Sequence, residues 1–234
     1  MSESPPPVFR FLMPVLHHLP LSPFCRKVRI VLGEKGLPFD LKVERPWERR
    51  REFLALNPAG AVPALELEDG VVLADSTAIV EFVEEVAPEP ALLGATPIER
   101  AETRRLVAWF DDKFFHEVTV HLYGEKVMKR LSRGGAPDSA ALRAGRANIA
   151  YHLEYIAWLT DRRTWLAGDR FSLADIAAGA HLSALDFLGD VHWDRCEGAK
   201  HWYQRIKSRP SFRPLLADQV TGFQPPPDYA DLDF

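Results

Sequence analysis

Apolar residues in the first ninety positions come in short runs, and beyond them they come at helical spacing. Residues 15–19 form a short apolar run that suits a buried strand. Leu21-Ser22-Pro23-Phe24-Cys25 turns from it into a helix with Val28, Ile30, Val31 and Leu32 as apolar positions, ended by Gly33, Gly36 and Pro38. Residues 39–43 alternate and predict a second strand, and 46–56 predict a short basic helix or turn. Residues 64–67 and 71–73 flank Glu68-Asp69-Gly70, a hairpin with an Asp-Gly turn, and 77–86 follow as a helix. The order β-α-β-(α)-β-β-α is a thioredoxin-like pattern.

After a Pro- and Ala-rich linker at 88–97 the pattern changes. Leu106, Phe110, Phe114 and Val118 recur at about one turn and predict a long amphipathic helix over 98–131. Gly134-Gly135-Ala136-Pro137 breaks it. Further helices are predicted over 139–160, 171–188 and 198–208, with a short turn at 212–216. Ser172 and Asp175 make a capping box flanked by Phe171 and Ile176, a folding signal in which loss of the Ser172 cap costs about 1 kcal/mol. The division expected is an N-terminal arm (1–13) with three consecutive prolines, a thioredoxin-like domain (14–87), an all-helical domain (98–216) and a C-terminal tail (217–234).

The 234-residue chain is 47% hydrophobic, enough for a real core, and its net charge of −4 argues against a nucleic-acid binder. Two cysteines, Cys25 and Cys196, make a disulfide framework or a zinc site a poor fit and suit a reducing compartment. No apolar run approaches the roughly 18 residues of a membrane span. The start, Met1-Ser-Glu-Ser-Pro-Pro-Pro, lacks the basic and apolar regions of a signal peptide, so a cytoplasmic location is expected. Phosphate-loop, nucleophile-elbow and zinc-protease motifs are absent from the sequence.

Candidate chemistry gathers at two motifs. Asn57-Pro-Ala-Gly-Ala-Val-Pro63 suggests a strand that begins at a proline, a candidate for a cis bond, which would turn the Val62 backbone outward to pair with an extended peptide. Asp75-Ser76 opens the next helix, where acceptors and N–H groups grip the amino and carboxylate ends of a small ligand. Together they read as a site for a short peptide such as glutathione.

With Ser-Pro-Phe-Cys-Arg-Lys-Val-Arg (22–29) and Phe-Ser-Leu-Ala-Asp-Ile (171–176), these motifs resemble the cytosolic glutathione S-transferase superfamily over roughly 14–216. The resemblance implies a thioredoxin-like domain followed by a helical domain, a cis Pro63, and a homodimer with its cleft between domains. It implies glutathione contacts at Val62, Pro63, Asp75 and Ser76, with Asp75 shorter than the usual Glu, and a thiolate-stabilising hydroxyl at Ser22. The tail, Gln224-Pro-Pro-Pro-Asp-Tyr-Ala-Asp-Leu-Asp-Phe234, is similar to the C-terminus of alphaproteobacterial GST-like division proteins that bind FtsZ. That likeness implies a non-catalytic, FtsZ-binding regulator of cell division, located in the cytoplasm at the division site, needing no cofactor; the alternative is a transferase that conjugates glutathione to small electrophiles.

Each candidate also has a plainer reading. Ser22 suits a helix cap, Ser76 likewise, and Val62 ordinary core. Cys25 stands where a redox pair would have its second cysteine, but Ser22 replaces the first, so dithiol exchange is not available and a buried helix cysteine is the simpler reading. Arg49, Arg50 and Arg51 after Trp47 form either a solvated face or an anion-binding patch, and an exposed Trp47 beside arginines fits a protein-contact hot spot. Asp111, Asp112, His116, His121, Tyr123 and Glu125 are the polar candidates facing the cleft; His116 and His121 are spaced wrongly to share a metal. Arg143 and Arg146 suit surface or inter-helix ion pairs. In the tail, Asp228, Asp231 and Asp233 alternate with Tyr229, Leu232 and Phe234, a pattern that docks on a partner as a linear motif or folds back on the body.

Overall fold

The computed structural model describes residues 13–234, so the arm expected over 1–13 lies outside the described residues but for Met13. Four strands, β1 (Val15–His18), β2 (Asp40–Val43), β3 (Ala64–Glu66) and β4 (Val72–Ala74), form one sheet in the order β2-β1-β3-β4. β2 lies parallel to β1, which requires a crossover, and α1 (Pro23–Glu34) supplies it. β3 runs antiparallel to both β1 and β4. The β3–β4 turn closes at Gly70, whose φ of 82° falls where a side chain would be strained. α2 (Arg51–Leu56) and α3 (Ser76–Val86) complete this mixed-sheet, thioredoxin-like half.

The linker is strapped down rather than loose. Leu92 is buried, its carbonyl accepts from Leu173 N–H, and the buried Lys35–Glu84 pair holds the segment through Pro90 O and Leu92 N–H. Thr96 and Glu99 then form a capping box with Pro97 at the first helical position of α4 (Pro97–Ala108). The chain continues without a break through a wide-turn, π-type stretch (Trp109–Met128) into a last turn, α5 (Lys129–Leu131). α6 (Ser139–Thr160), α7 (Leu173–Phe187), α8 (Glu197–Lys207) and α9 (Arg213–Leu216) follow. Every residue of α7 is buried, and α1 packs against it, so one apolar core runs through both halves.

Of the two fates open to the tail, folding back is the one observed. Tyr229 is 3% exposed and packs edge-on against Phe187, 5.3 Å between centroids. Phe234 lies against Trp193 and Tyr203, with the buried Lys207 ammonium 3.9 Å from its ring centre. For Tyr229 the expectation of a partner contact is thereby corrected: a large ring beside an unfilled core surface gains more by leaving water there. Phe234 rests on the body and stays half-buried. Asp228, Asp231 and Asp233 stay exposed and Leu232 is half-buried.

Candidate functional site

Strand register brings the expected ligand contacts to one end of the sheet. β1 ends at His18 and leads through Leu19-Pro20-Leu21 to Ser22; His17 pairs with Ala64, and Ala64 pairs with Ala74. Pro63 and Asp75 therefore flank the exit of β1. Parallel β2 ends on the same side, where Glu44 N–H donates to His18 O, so the Trp47 segment departs from there as well.

The Val62–Pro63 bond is cis, and the Val62 backbone forms no hydrogen bond with another described residue. A half-buried N–H and C=O without partners suit an extended peptide laid beside them. Ser22 caps α1: its Oγ accepts the Cys25 N–H at 3.4 Å and the residue is only 7% exposed. Cys25 is wholly buried, and burial pushes its thiol up to about 11, which removes thiolate chemistry at neutral pH. The helix cap at α3 is Asp75 and not Ser76. Asp75 sits at φ 74° and its carboxylate accepts Thr77 N–H at 2.7 Å, while Ser76 is buried as the first helical residue.

The arginine segment divides by role. Arg50 grips the buried Glu44 with Nε at 3.2 Å and Nη2 at 2.9 Å, and that hydrogen bonding holds the Glu44 carboxyl below its ordinary range. Arg50 therefore has a structural role, although its side chain stays 40% exposed. Arg45 pairs with Glu48, whereas Arg49, in a left-handed conformation at φ 45°, has no ion pair among the described residues. Trp47, expected to be exposed, is half-buried because its segment folds into a 3₁₀ turn (Pro46–Glu48). It lines a cavity of about 640 Å³ with Leu19, Pro20, Val43, Leu131 and Val220.

Of the polar candidates on the long helix, Asp111 points into the core. It pairs with the buried Lys27, and its other oxygen lies 3.4 Å from His181 Nε2, whose Nδ1 meets Thr119 Oγ1 at 2.9 Å. Tyr123 is buried, Glu125 accepts Asp138 N–H and pairs with Lys129, and the exposed His116 faces Asp112. Arg146 lies 3.5 Å from the buried Asp190. Among the described residues no group of three or more metal-ligating side chains is placed to hold an ion.

Two features escape sequence reasoning. The three cations of α1 are buried: Arg26 donates to Pro20 O, Ser183 Oγ, Tyr229 Oη and Asp218, Arg29 grips Asp218 with both ends of its fork, and Lys27 takes Asp111. Their partners lie up to 203 residues away, beyond the reach of any local pattern. The second is an aromatic stripe. Tyr151 and Trp158 on α6 are 56% and 51% exposed, Tyr155 stacks on Trp158, and Trp109 lies 4.5 Å from Tyr155. The spacing Tyr151-Tyr155-Trp158, four then three residues on one helix face, is the signal that could have found it.

With this geometry in place the comparisons are decisive. The glutathione S-transferase N-terminal domain matches residues 21–86 and the C-terminal domain matches 125–210. The chain belongs to the glutathione S-transferase family. It is 53% identical over 222 residues to FtsZ-localized protein A of Caulobacter vibrioides, covering 94% of this chain and 97% of that one. The structure of FzlA from C. crescentus superposes with a TM-score of 0.92 at 52% identity, over 95% of this chain and all of that chain. A crystal structure described as a glutathione S-transferase from Rhodospirillum rubrum F11 gives 0.93 at 55% identity, with the same coverage. Among the described residues no helix is long and apolar enough to cross a membrane.

Proposed function

We propose that this chain is a division-site protein that uses the transferase fold as a homodimeric platform for binding FtsZ, without conjugating glutathione. The observation that carries this reading is the near full-length identity to FtsZ-localized protein A. One feature of the site agrees with it: the buried Cys25 thiol is held protonated, while Ser22 Oγ and one Asp75 oxygen accept helix-capping N–H groups. Trp47, Arg49 and the exposed acids Asp228, Asp231 and Asp233 would meet the partner, with Tyr229 and Phe234 as their anchors in the body. The exposed Tyr151 and Trp158, with the half-buried Tyr155 between them, support a second copy seated there, since apolar rings of that size usually mark a contact. Two copies would engage neighbouring filament subunits and gain avidity.

The test is co-pelleting with FtsZ polymers. The intact chain sediments with them, and Trp47→Ala or Asp231→Lys weakens this at least about tenfold, the scale of one interface hot spot. Failure of the intact chain to co-pellet overturns the reading.

A glutathione transferase is the second reading, favoured by the unpaired Val62 backbone beside cis Pro63 and by the kinship to the Rhodospirillum rubrum protein. Calorimetry with millimolar glutathione and a conjugation assay decide it. Heat with turnover favours the transferase, and neither excludes it.

A further inference from the structure

At the C-terminal end of the long helix a cavity of about 730 Å³ opens between that helix, the 133–137 turn and the chain returning from α9. Its lining carries four cations, Lys126, Lys129, Arg130 and Arg133, and no carboxylate, over an apolar floor of Leu188 and Phe223. The local charge runs against the chain's net charge of −4.

The four cations are not equivalent. Lys126 is neutralised by the buried Asp190 at 2.6 Å, and Lys129 by Glu125 at 2.5 Å. Arg130 lies over the Phe223 ring at 4.8 Å, and neither it nor Arg133 has a carboxylate partner among the described residues. Arg133 is fixed by a left-handed turn at φ 57°. Basic residues in a last helical turn offset the helix dipole, which accounts for Lys129 and Arg130 in part. Arg133 lies beyond the helix, and the dipole gives it no such role.

The geometry points to an acidic peptide segment carrying one large apolar side chain as the occupant of this groove. Guanidinium forks match carboxylates in two-point contacts. A cavity of this volume far exceeds a single phosphate, and its apolar floor has nothing to offer one. The site is separate from the Trp47 cavity but adjoins it through Arg133, which lines both. The inference rests on the lining of this groove and not on FtsZ being the partner.

Fluorescence anisotropy of the full chain tests it, with a fluorescein-labelled peptide of about twelve alternating Asp and Glu residues around a central Phe. Saturable binding is expected at low salt, falling as ionic strength rises. The double variant Arg130→Glu/Arg133→Glu is expected to lose at least about tenfold in affinity, and Arg195→Glu, an exposed arginine outside the groove's lining, to lose none. A peptide with Phe replaced by Ser is expected to bind several-fold more weakly. Both arginines are exposed, so circular dichroism should show the variant folded; if it is not, Arg133→Glu alone is the arm to read, with a loss of several-fold expected. Binding unchanged by charge reversal overturns the proposal, as does no binding. Equal competition by free tripolyphosphate and peptide would reveal a plain anion site and also overturn it. A change of sedimentation coefficient in the variant without peptide would put a second copy on this face, and that too would overturn it.

Discussion

Tyr229 shows how one side chain can reverse the meaning of a segment. Its hydroxyl receives a hydrogen bond from the buried Arg26 at 3.2 Å, and its ring fills the space beside Phe187. Tyr229→Phe keeps the ring and removes only the charge-assisted bond, so a loss of about 1–3 kcal/mol is expected in a urea melt. No change would mean the tail is not anchored through this bond. Ser172 and Asp175 mark the reverse case, where the motif is legible and its weight is not. Asp175 is wholly buried and accepts from Leu166 N–H, Ser172 N–H, Ser172 Oγ–H and Trp202 Nε1–H. Burial raises its carboxyl pKa against the pull of those donors. The capping box is readable because both halves lie three residues apart; Trp202 is not, because it arrives from another helix.

The long helix is the element in which spacing and geometry speak to each other most directly. Leu106, Phe110, Phe114, Val118 and Leu122 are all fully buried and four residues apart. At 3.6 residues per turn such a row drifts around the axis by about 40° a step. The observed stretch is wider, with Lys129 N–H reaching back five residues to Gly124 O. Apolar spacing starts this helix at Ile98, one residue late, although Thr96-Pro97-Ile98-Glu99 is a capping box in plain view. α6 approaches this helix so closely at Gly145 that an added Cβ would stand 2.8 Å from Leu122 Cγ and 2.9 Å from His121 Cβ. Gly145→Ala would gain up to about 1 kcal/mol of helix propensity. Overpacking against a fully buried leucine costs about 1–3 kcal/mol, so net destabilisation is expected in thermal and denaturant melts. A stabilised variant would show that the two helices part easily.

Acid sensitivity belongs to the whole molecule, because the responsible histidines are spread through its core. Burial lowers His18 to about 4, with the Arg29 charge adding to it, and burial likewise lowers His152 and His181. At His152 the geometry agrees: Trp109 Nε1–H donates to Nδ1, which must then be unprotonated, while Nε2 faces Glu117. Unfolded histidines take up protons near pH 6.5. Below that pH the unfolded chain binds more protons than the native one, so stability is full above about 6.5 and falls as pH drops towards 4. The melting temperature is expected to fall over that window, and less so in His18→Gln if that variant folds. A flat profile would contradict the burial of neutral histidines.

The chain's local patterns determined the elements, their order, the capping box at Ser172 and Asp175 and the cis-proline motif, because each depends on residues within a few positions of one another. They also singled out Val62, Pro63 and Asp75, which the strand register places at one end of the sheet. Tertiary structure alone decided which charges were structural. Arg26, Arg29 and Lys27 are buried because Asp218 and Asp111 arrive from far along the chain to neutralise them and Tyr229 accepts a further hydrogen bond from Arg26. It likewise turned Tyr229 and Phe234 inward and left the Tyr151–Trp158 stripe outside. Burial of a polar or aromatic group is a property of its partners, and those partners meet only once the chain has folded.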